Sequence, residues 1–203
     1  MRCGYRKKEV KILQADEVME RFRRTGALLE GHFILSSGLH SSSYLQCALV
    51  LQHPAEAESF GRALARAFEG QNVQAVASPA IGGLIIGYEV ARQLGVRFIW
   101  TERDPHGQMT LRRGFSVNPG EGFLVVEDVI TTGGSTRETI TTLQAAGARV
   151  VGAASIIDRS QGRADTGVPR IALATLDVPA VAASACAACA RSEEAVKPGS
   201  RKQ

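Results

Sequence analysis

Glu127 and Asp128 stand side by side at the end of an apolar run, in FLVVEDVITTGGSTRETI (residues 123–140). Hydroxyls and glycines follow at once: Thr131, Thr132, Gly133, Gly134, Ser135 and Thr136. Glycines at a strand-to-helix turn let the backbone curl so that successive N–H groups point inward. The helix that follows adds unpaired N–H groups and the positive end of its dipole. Such a turn is a cradle for a phosphate monoester. The two acids cannot hold that phosphate, because like charges repel. They suit a group one step away that offers donors or a cation, and ribose hydroxyls and Mg²⁺ both fit. A phosphorylated ribose carries its 5′-phosphate beside a pair of hydroxyls, so one turn could grip both ends. A strand-end acid or a Gly-Gly before a helix is, taken singly, a common cap or turn. The complete order of apolar strand, acid pair, hydroxyl-glycine turn and helix is much rarer. No G-x-x-x-x-G-K-[ST] occurs, and Gly82, Gly83 and Gly87 lack the G-x-G-x-x-G spacing.

The elements that must position this turn are legible around it. FLVVEDV (123–129) is the strongest strand, and STRETITTLQAAG (135–147) reads as a helix with the capping-box spacing Ser135 to Glu138, stopping at Gly147. VQAVA, VRFIW, RVVGAASIID and IALATL read as further strands, and EAESFGRALARAFEG and LIIGYEVARQLG as helices. In the first of these helices Phe60, Leu64, Ala67 and Phe68 share a face. DEVMERFRRT (16–25) reads as a helix capped by Asp16, with Val18, Met19 and Phe22 on one face. GHFILSSGLHSSSYLQCALV (31–50) reads as a hairpin, and 101–122 as a long polar loop with room for a small hairpin. From residue 56 onward strands alternate with helices. That predicts an α/β fold, a parallel sheet flanked by helices, with ligands at the carboxyl ends of the strands. The expected layout is an N-terminal helix and hood (1–55), a core (56–180) and an irregular tail (181–203), all in one structural domain.

The totals limit the partners. With 203 residues the chain can bury a full core. Aromatics are only 5% and the net charge of +4 is dispersed, which argues against a nucleic-acid surface. The N-terminus lacks an apolar signal region and no run of about 18 apolar residues exists, so a membrane partner is not expected. Four cysteines (Cys3, Cys47, Cys186, Cys189) do not make a disulfide scaffold, and a reduced, cytoplasmic protein is expected. Cys186 and Cys189 carry half of a zinc-site spacing, but Cys3, Cys47 and His32 would have to converge on them from afar. Structural thiols are the expected role. His32 and His40 lie in the hood, where polar packing is at least as good an account as substrate contact. The five lysines fall at 7, 8, 11, 197 and 202, so arginine supplies all fixed positive charge between Lys11 and Lys197.

VVEDVITTGGS resembles the ribose-phosphate signature of the type I phosphoribosyltransferases, which bind 5-phosphoribosyl 1-diphosphate (PRPP). The resemblance implies that Glu127 and Asp128 hold the ribose hydroxyls. It implies a PRPP-binding run through Val129, Ile130 and Thr131 to Thr136, with the phosphate on residues 131–136. SPAIGG is similar to the family's diphosphate loop, which places Ala80, Ile81, Gly82 and Gly83 at the leaving group. GHFILSSGLHSSSYLQ resembles the hood of the orotate branch, with Ser36, Ser37 and Tyr44 near the base. Arg159, in IIDRSQG, stands where that branch pairs an arginine with the substrate carboxylate, alongside Thr131. Arginine could bind a planar carboxylate bidentately. ERDPHGQMTLRRG takes the place of the mobile catalytic loop. Orotate enzymes often carry lysines in the hood and in this loop; here the hood position is Ser36 and the loop offers Arg103, His106, Arg112 and Arg113. These arginines would neutralise diphosphate electrostatically, with His106 the titrating acid, or Lys197 would reach in from the tail. The resemblance further implies Mg²⁺ held mainly by PRPP, a homodimer with shared active sites, and transfer of phosphoribosyl to orotate. The KPGSR tail resembles a bacterial subgroup. A purine phosphoribosyltransferase would share EDVITTGGS but not need the hood or Arg159. A non-catalytic nucleotide-sensing regulator on this fold would keep the turn but lose the loop chemistry.

Overall fold

A computed structural model of the chain describes residues 13–35 and 38–198. The largest sheet has six strands: β3 (Ala75–Pro79), β4 (Arg97–Arg103), β5 (Met109–Leu111), β6 (Gly122–Ile130), β7 (Arg149–Asp158) and β8 (Arg170–Thr175). Their spatial order is β5-β4-β3-β6-β7-β8, all parallel except β5, which runs antiparallel to β4 at one edge. Parallel strands covered on both faces read as continuous apolar runs. In β6 the residues from Gly122 to Glu127 are all buried, Phe123 to Val126 completely. On one face lie α1 (Ala15–Arg24), α2 (Cys47–Leu51), α3 (Pro54–Arg66) and α4 (Leu84–Leu94), around a core that includes Phe22, Phe60, Leu64 and Ile86. On the other lies α5 (Gly134–Ala145), with Ile140 and Leu143 against Phe123 and Val125. The α3–α4 crossing is close because Gly61 is bare: a Cβ there would lie 2.7 Å from the Glu89 Cβ.

The hood is a second sheet of three strands. β1 (Leu28–Ile34) and β2 (His40–Leu45) form the expected hairpin, and β9 (Ala180–Val181) adds to β2. The chain then makes a 3₁₀ turn and the short helix α6 (Ala187–Ala190) before Val196 pairs with Phe33. Residues 180–196 therefore run from one edge of the hood to the other and are not an irregular tail. No helix among the described residues is long and apolar enough to cross a membrane.

Local expectations differ in four places. The stretch from Cys47 to Leu51 is helical rather than the end of the hairpin, burying Cys47, Val50 and Leu51. Helix α1 is capped by Gln14, with Asp16 in its first turn. Helix α3 stops at Arg66, so Ala67 is exposed while Phe60, Leu64 and Phe68 are buried. The capping box at Ser135 does not form: the N-cap of α5 is Gly133, at φ +79°, a backbone state that glycine adopts at no steric cost.

Candidate active site

Strand β6 carries Glu127 and Asp128 to its carboxyl end, and the turn into α5 puts Thr131 to Thr136 directly beyond them. Glu127, Val129, Ile130 and the whole run from Thr131 to Thr136 line one small cavity. The first N–H groups of α5 have no intrahelical acceptor. Arg137 is the first to close a helical bond, onto the Gly133 carbonyl at 2.8 Å. The Gly134 N–H meets only the Thr132 hydroxyl, at 3.4 Å. Thr136 is buried, and its hydroxyl donates to Glu127 Oε2 at 3.5 Å. The cavity is thus a nest of amides with the acid at its base.

Burial, and then the charge of Asp128, pushes the Glu127 carboxyl up to about 9, against the Thr136 hydroxyl, which lowers it. Asp128 is also raised by burial, while the Val129 N–H, 2.8 Å from its Oδ1, works the other way. Two adjacent acids in a dry site cannot both ionise cheaply. The pair is therefore poised to ionise when donors or positive charge arrive beside it.

The turn after β3 approaches this pair from the side. Its Ala80–Ile81 peptide bond is cis. Gly82 packs on the Asp128 carboxylate, and a Cβ at Gly83 would lie 2.9 Å from the Val126 carbonyl oxygen. The two glycines are required by packing against β6, a reason beyond the ligand approach or plain tight turn that the sequence suggests. Cys47, at the start of α2, directs its thiol at Asp128, and burial followed by that charge raises its pKa. Nothing in the motif around Asp128 signals this contact, since Cys47 comes from another element 81 positions away.

A larger cavity of about 620 Å³ opens on the other side of the turn. Leu35, Leu39 and Tyr44 of the hood, Thr131 and Thr132 of the turn, and Arg159 beyond β7 line it. Tyr44, Thr131 and Arg159 were expected together; Ser36 and Ser37 lie outside the described residues, and Leu35 and Leu39 were missed as lining. Arg159 is half-buried, and burial lowers its pKa. It is not a surface ion-pair residue. Asp158 is bridged instead to Arg170 at 2.9 Å. Burial alone would raise Asp158, but the Ser160 hydroxyl and N–H, Arg170 and the Gly162 N–H outweigh it and hold the carboxyl at about 2. With Asp158 so engaged, the Arg159 guanidinium makes no hydrogen bond or ion pair among the described residues. The Arg159 backbone N–H donates to the Ile130 carbonyl at 2.8 Å, which ties the end of β7 to the 131–136 turn.

The basic loop is not gathered at these cavities. Strands β4 and β5 form a hairpin laid on α5, where Thr142 donates to the Met109 carbonyl at 3.0 Å. Arg103 pairs with Glu138 at 2.7 Å and Arg113 with Glu102 at 2.7 Å, while Arg112 stands 4.0 Å from Glu102. The His106 N–H donates to Asp104 Oδ1 at 2.9 Å, and its residue is exposed. None of the four lines either cavity. Lys197 is exposed, just past the point where Val196 pairs with β1.

The chain is similar to known proteins in sequence and fold. Residues 48–171 match the model of the phosphoribosyl transferase domain. An orotate phosphoribosyltransferase of Pelotomaculum thermopropionicum is 54% identical over 187 residues, 92% of this chain and 98% of the relative. One from Thermus thermophilus is 51% identical over 85% of this chain and 94% of its own. The crystal structure of orotate phosphoribosyltransferase from Aeropyrum pernix superposes with a TM-score of 0.63 at 28% identity, covering 78% of this chain and 93% of that one.

Proposed function

This chain belongs to the phosphoribosyltransferase family, in its orotate branch, and from that membership we propose how its two cavities divide the reaction. It is a pentosyltransferase, moving the phosphoribosyl group of PRPP to orotate and releasing diphosphate and orotidine 5′-monophosphate. The small amide-lined cavity takes the 5′-phosphate of PRPP. Glu127 and Asp128 take the ribose hydroxyls. The larger cavity takes orotate, its carboxylate on Arg159 and its ring between Tyr44 and the apolar side chains of Leu35 and Leu39. Thr131 and Thr132 line both cavities, so the anomeric carbon and the attacking ring nitrogen meet at their shared wall.

The bond to diphosphate breaks as the nitrogen attacks, and positive charge develops on the ribose. Carboxylates beside the ring stabilise that charge most when it is fully developed, which is where catalysis is gained. The growing charge also favours ionisation of the raised acid pair. The Asp128 carboxylate beside the 80–83 turn, with Glu127 next to it in the chain, is a hard oxygen donor, and that fits Mg²⁺ held mainly by the phosphate oxygens of PRPP. When bound there, Mg²⁺ neutralises the leaving diphosphate.

The loop arginines complete the site from a second copy of the chain. Their own acids, Glu138 and Glu102, hold them while the loop lies on α5. An apolar face supports such pairing: Ile85 and Tyr88 on α4 are exposed beside Phe98 and Trp100 of β4. Closing the loop over the substrates would exclude the water that otherwise hydrolyses PRPP.

The observation that carries the choice of acceptor is the half-buried, unpaired guanidinium of Arg159 in a cavity that shares the phosphate turn. The test is turnover with PRPP and Mg²⁺ against orotate, uracil, adenine and hypoxanthine in parallel. Orotate alone should be consumed. Uracil, which lacks the carboxylate, turning over as well as orotate would overturn the role given to Arg159.

A further inference from the structure

Four side chains far from the PRPP turn converge on one point: His32 on β1, His40 on β2, and Cys186 and Cys189 around α6. Each offers one ligand atom, and these atoms all lie within 4.8 Å of one another. His32 Nε2 is 3.5 Å from Cys186 Sγ, 3.6 Å from Cys189 Sγ and 2.7 Å from His40 Nδ1, and Cys189 Sγ is 3.3 Å from His40 Nδ1. We propose that His32, His40, Cys186 and Cys189 form a structural Zn²⁺ site that clamps the C-terminal segment onto the hood.

Tetrahedral Zn²⁺, with Zn–N of about 2.05 Å and Zn–S of about 2.3 Å, sets N···S separations near 3.6 Å and N···N near 3.3 Å. Three of the four N···S distances, at 3.5, 3.6 and 3.3 Å, fall within about 0.3 Å of that, and the fourth lies within the 4.8 Å that encloses the whole set. The two imidazole nitrogens, 2.7 Å apart, must open by about 0.6 Å, which small ring rotations supply. The β1–β2 hairpin brings both rings together, with their centroids 4.9 Å apart. The set is N₂S₂, with two soft thiolates and no oxygen ligand. That selects zinc over the Mg²⁺ of the PRPP site.

The surroundings are those of a metal site. His32 Nδ1 lies 2.9 Å from the Glu193 carbonyl oxygen. A proton on Nδ1 donated to that carbonyl leaves Nε2 with its lone pair toward the cluster, the way an outer hydrogen bond orients a ligating histidine. The backbone N–H groups of Cys189 and Ala188 donate to the Cys186 sulfur. His32 and His40 are buried, and the two cysteines are half-buried.

The fold gives such a clamp a task. The hood has three strands, and β9 contributes only two residues. So small a sheet builds little core, and a metal is one of the standard ways to hold one together. The Cys186–Cys189 excursion spans the interval between Val181, paired to β2, and Val196, paired to β1. Leu35, Leu39 and Tyr44, which line the larger cavity, belong to the same hairpin. The clamp therefore fixes the hood over the acceptor.

The full chain, produced reduced in zinc-supplemented medium and desalted, should carry about one Zn²⁺ per chain by elemental mass spectrometry. Cys189→Ser and His40→Ala should each lose it. Wild-type protein stripped by a chelator and given Co²⁺ should show the intense visible bands of tetrahedral cobalt with thiolate charge transfer. Equimolar Zn²⁺ should bleach those bands and restore Tm. The stripped wild type makes the test independent of whether the variants fold. Folded wild-type protein that takes up neither zinc nor cobalt at equimolar concentration overturns the site. So does a Cys186–Cys189 disulfide in protein kept under reducing conditions, or full zinc retention in Cys189→Ser.

Discussion

Gly82 lies so close to Asp128 that a Cβ at position 82 would sit 2.8 Å from the Asp128 Oδ1. The turn after β3 and the Asp128 carboxyl are thereby one packed unit. Gly82→Ala must displace the carboxylate, which the Val129 N–H and the Cys47 thiol otherwise hold in place. A displacement of about 1 Å at a reacting centre costs on the order of 10²-fold in rate. Steady-state kinetics of Gly82→Ala should show kcat down by about that factor with Tm little changed. Unchanged kcat would mean that Asp128 does not work from this position.

Glu127 contributes to function against stability. Its folded pKa of about 9 lies above the unfolded value of roughly 4.3. For an acid raised on folding, the native state binds the extra proton between those values, so stability falls as pH rises through that window. Glu127→Gln removes the penalty. Urea titrations at pH 8 should find the variant more stable by about 1–3 kcal/mol. The gain should vanish near pH 4. The same variant should lose on the order of 10²-fold in kcat/KM. A variant less stable than wild type at pH 8 would show that Glu127 is ionised in the free protein.

Arg159 should act on one substrate only. A charged hydrogen bond is worth about 1.5–3 kcal/mol, so Arg159→Ala should raise KM for orotate roughly 10- to 100-fold and leave KM for PRPP near wild type. Arg159→Lys should recover little, since a point charge does not reproduce the planar fork. Equal losses for both substrates would point to a damaged phosphate turn, to which Arg159 is tied through Ile130.

The strand, acid pair and turn that line the small cavity were legible in the sequence because they are local. An apolar strand, two acids and a glycine turn lie within about fourteen residues, and strand-end chemistry follows from their order. The alternation of strands and helices after residue 56 was legible for the same reason. What escaped depends on partners distant in the chain. Cys186 and Cys189 meet His32 and His40 from about 150 residues away, so C-x-x-C looked like half a site. The Ala-rich segment around them has no periodicity to announce strand pairing. Cys47 reads as a hairpin residue until α2 brings it to Asp128. Gly133 displaced the capping box because its positive φ starts the helix two residues before Ser135, which then sits inside the first turn. The loop arginines were legible as charge, but their present partners, Glu102 and Glu138, follow from how the hairpin folds over α5.

Those arginines give the sharpest test of a shared site. Arg103 and Glu138 are both about half exposed, and such a pair contributes at most about 1 kcal/mol. Arg103→Ala should therefore leave Tm nearly unchanged while lowering kcat. If Arg103 serves the clamp of a second chain, it can be supplied separately from Glu127. Inactive Arg103→Ala and inactive Glu127→Gln, unfolded together and refolded at equal amounts, form mixed dimers in half of the population. Each mixed dimer holds one site with both wild-type groups and one with neither. The mixture should recover roughly a quarter of wild-type activity. If the loop served its own chain, every site would keep one lesion and the mixture would stay as inactive as its parents. Mixing without unfolding gives the control, since recovery should then follow the rate of subunit exchange.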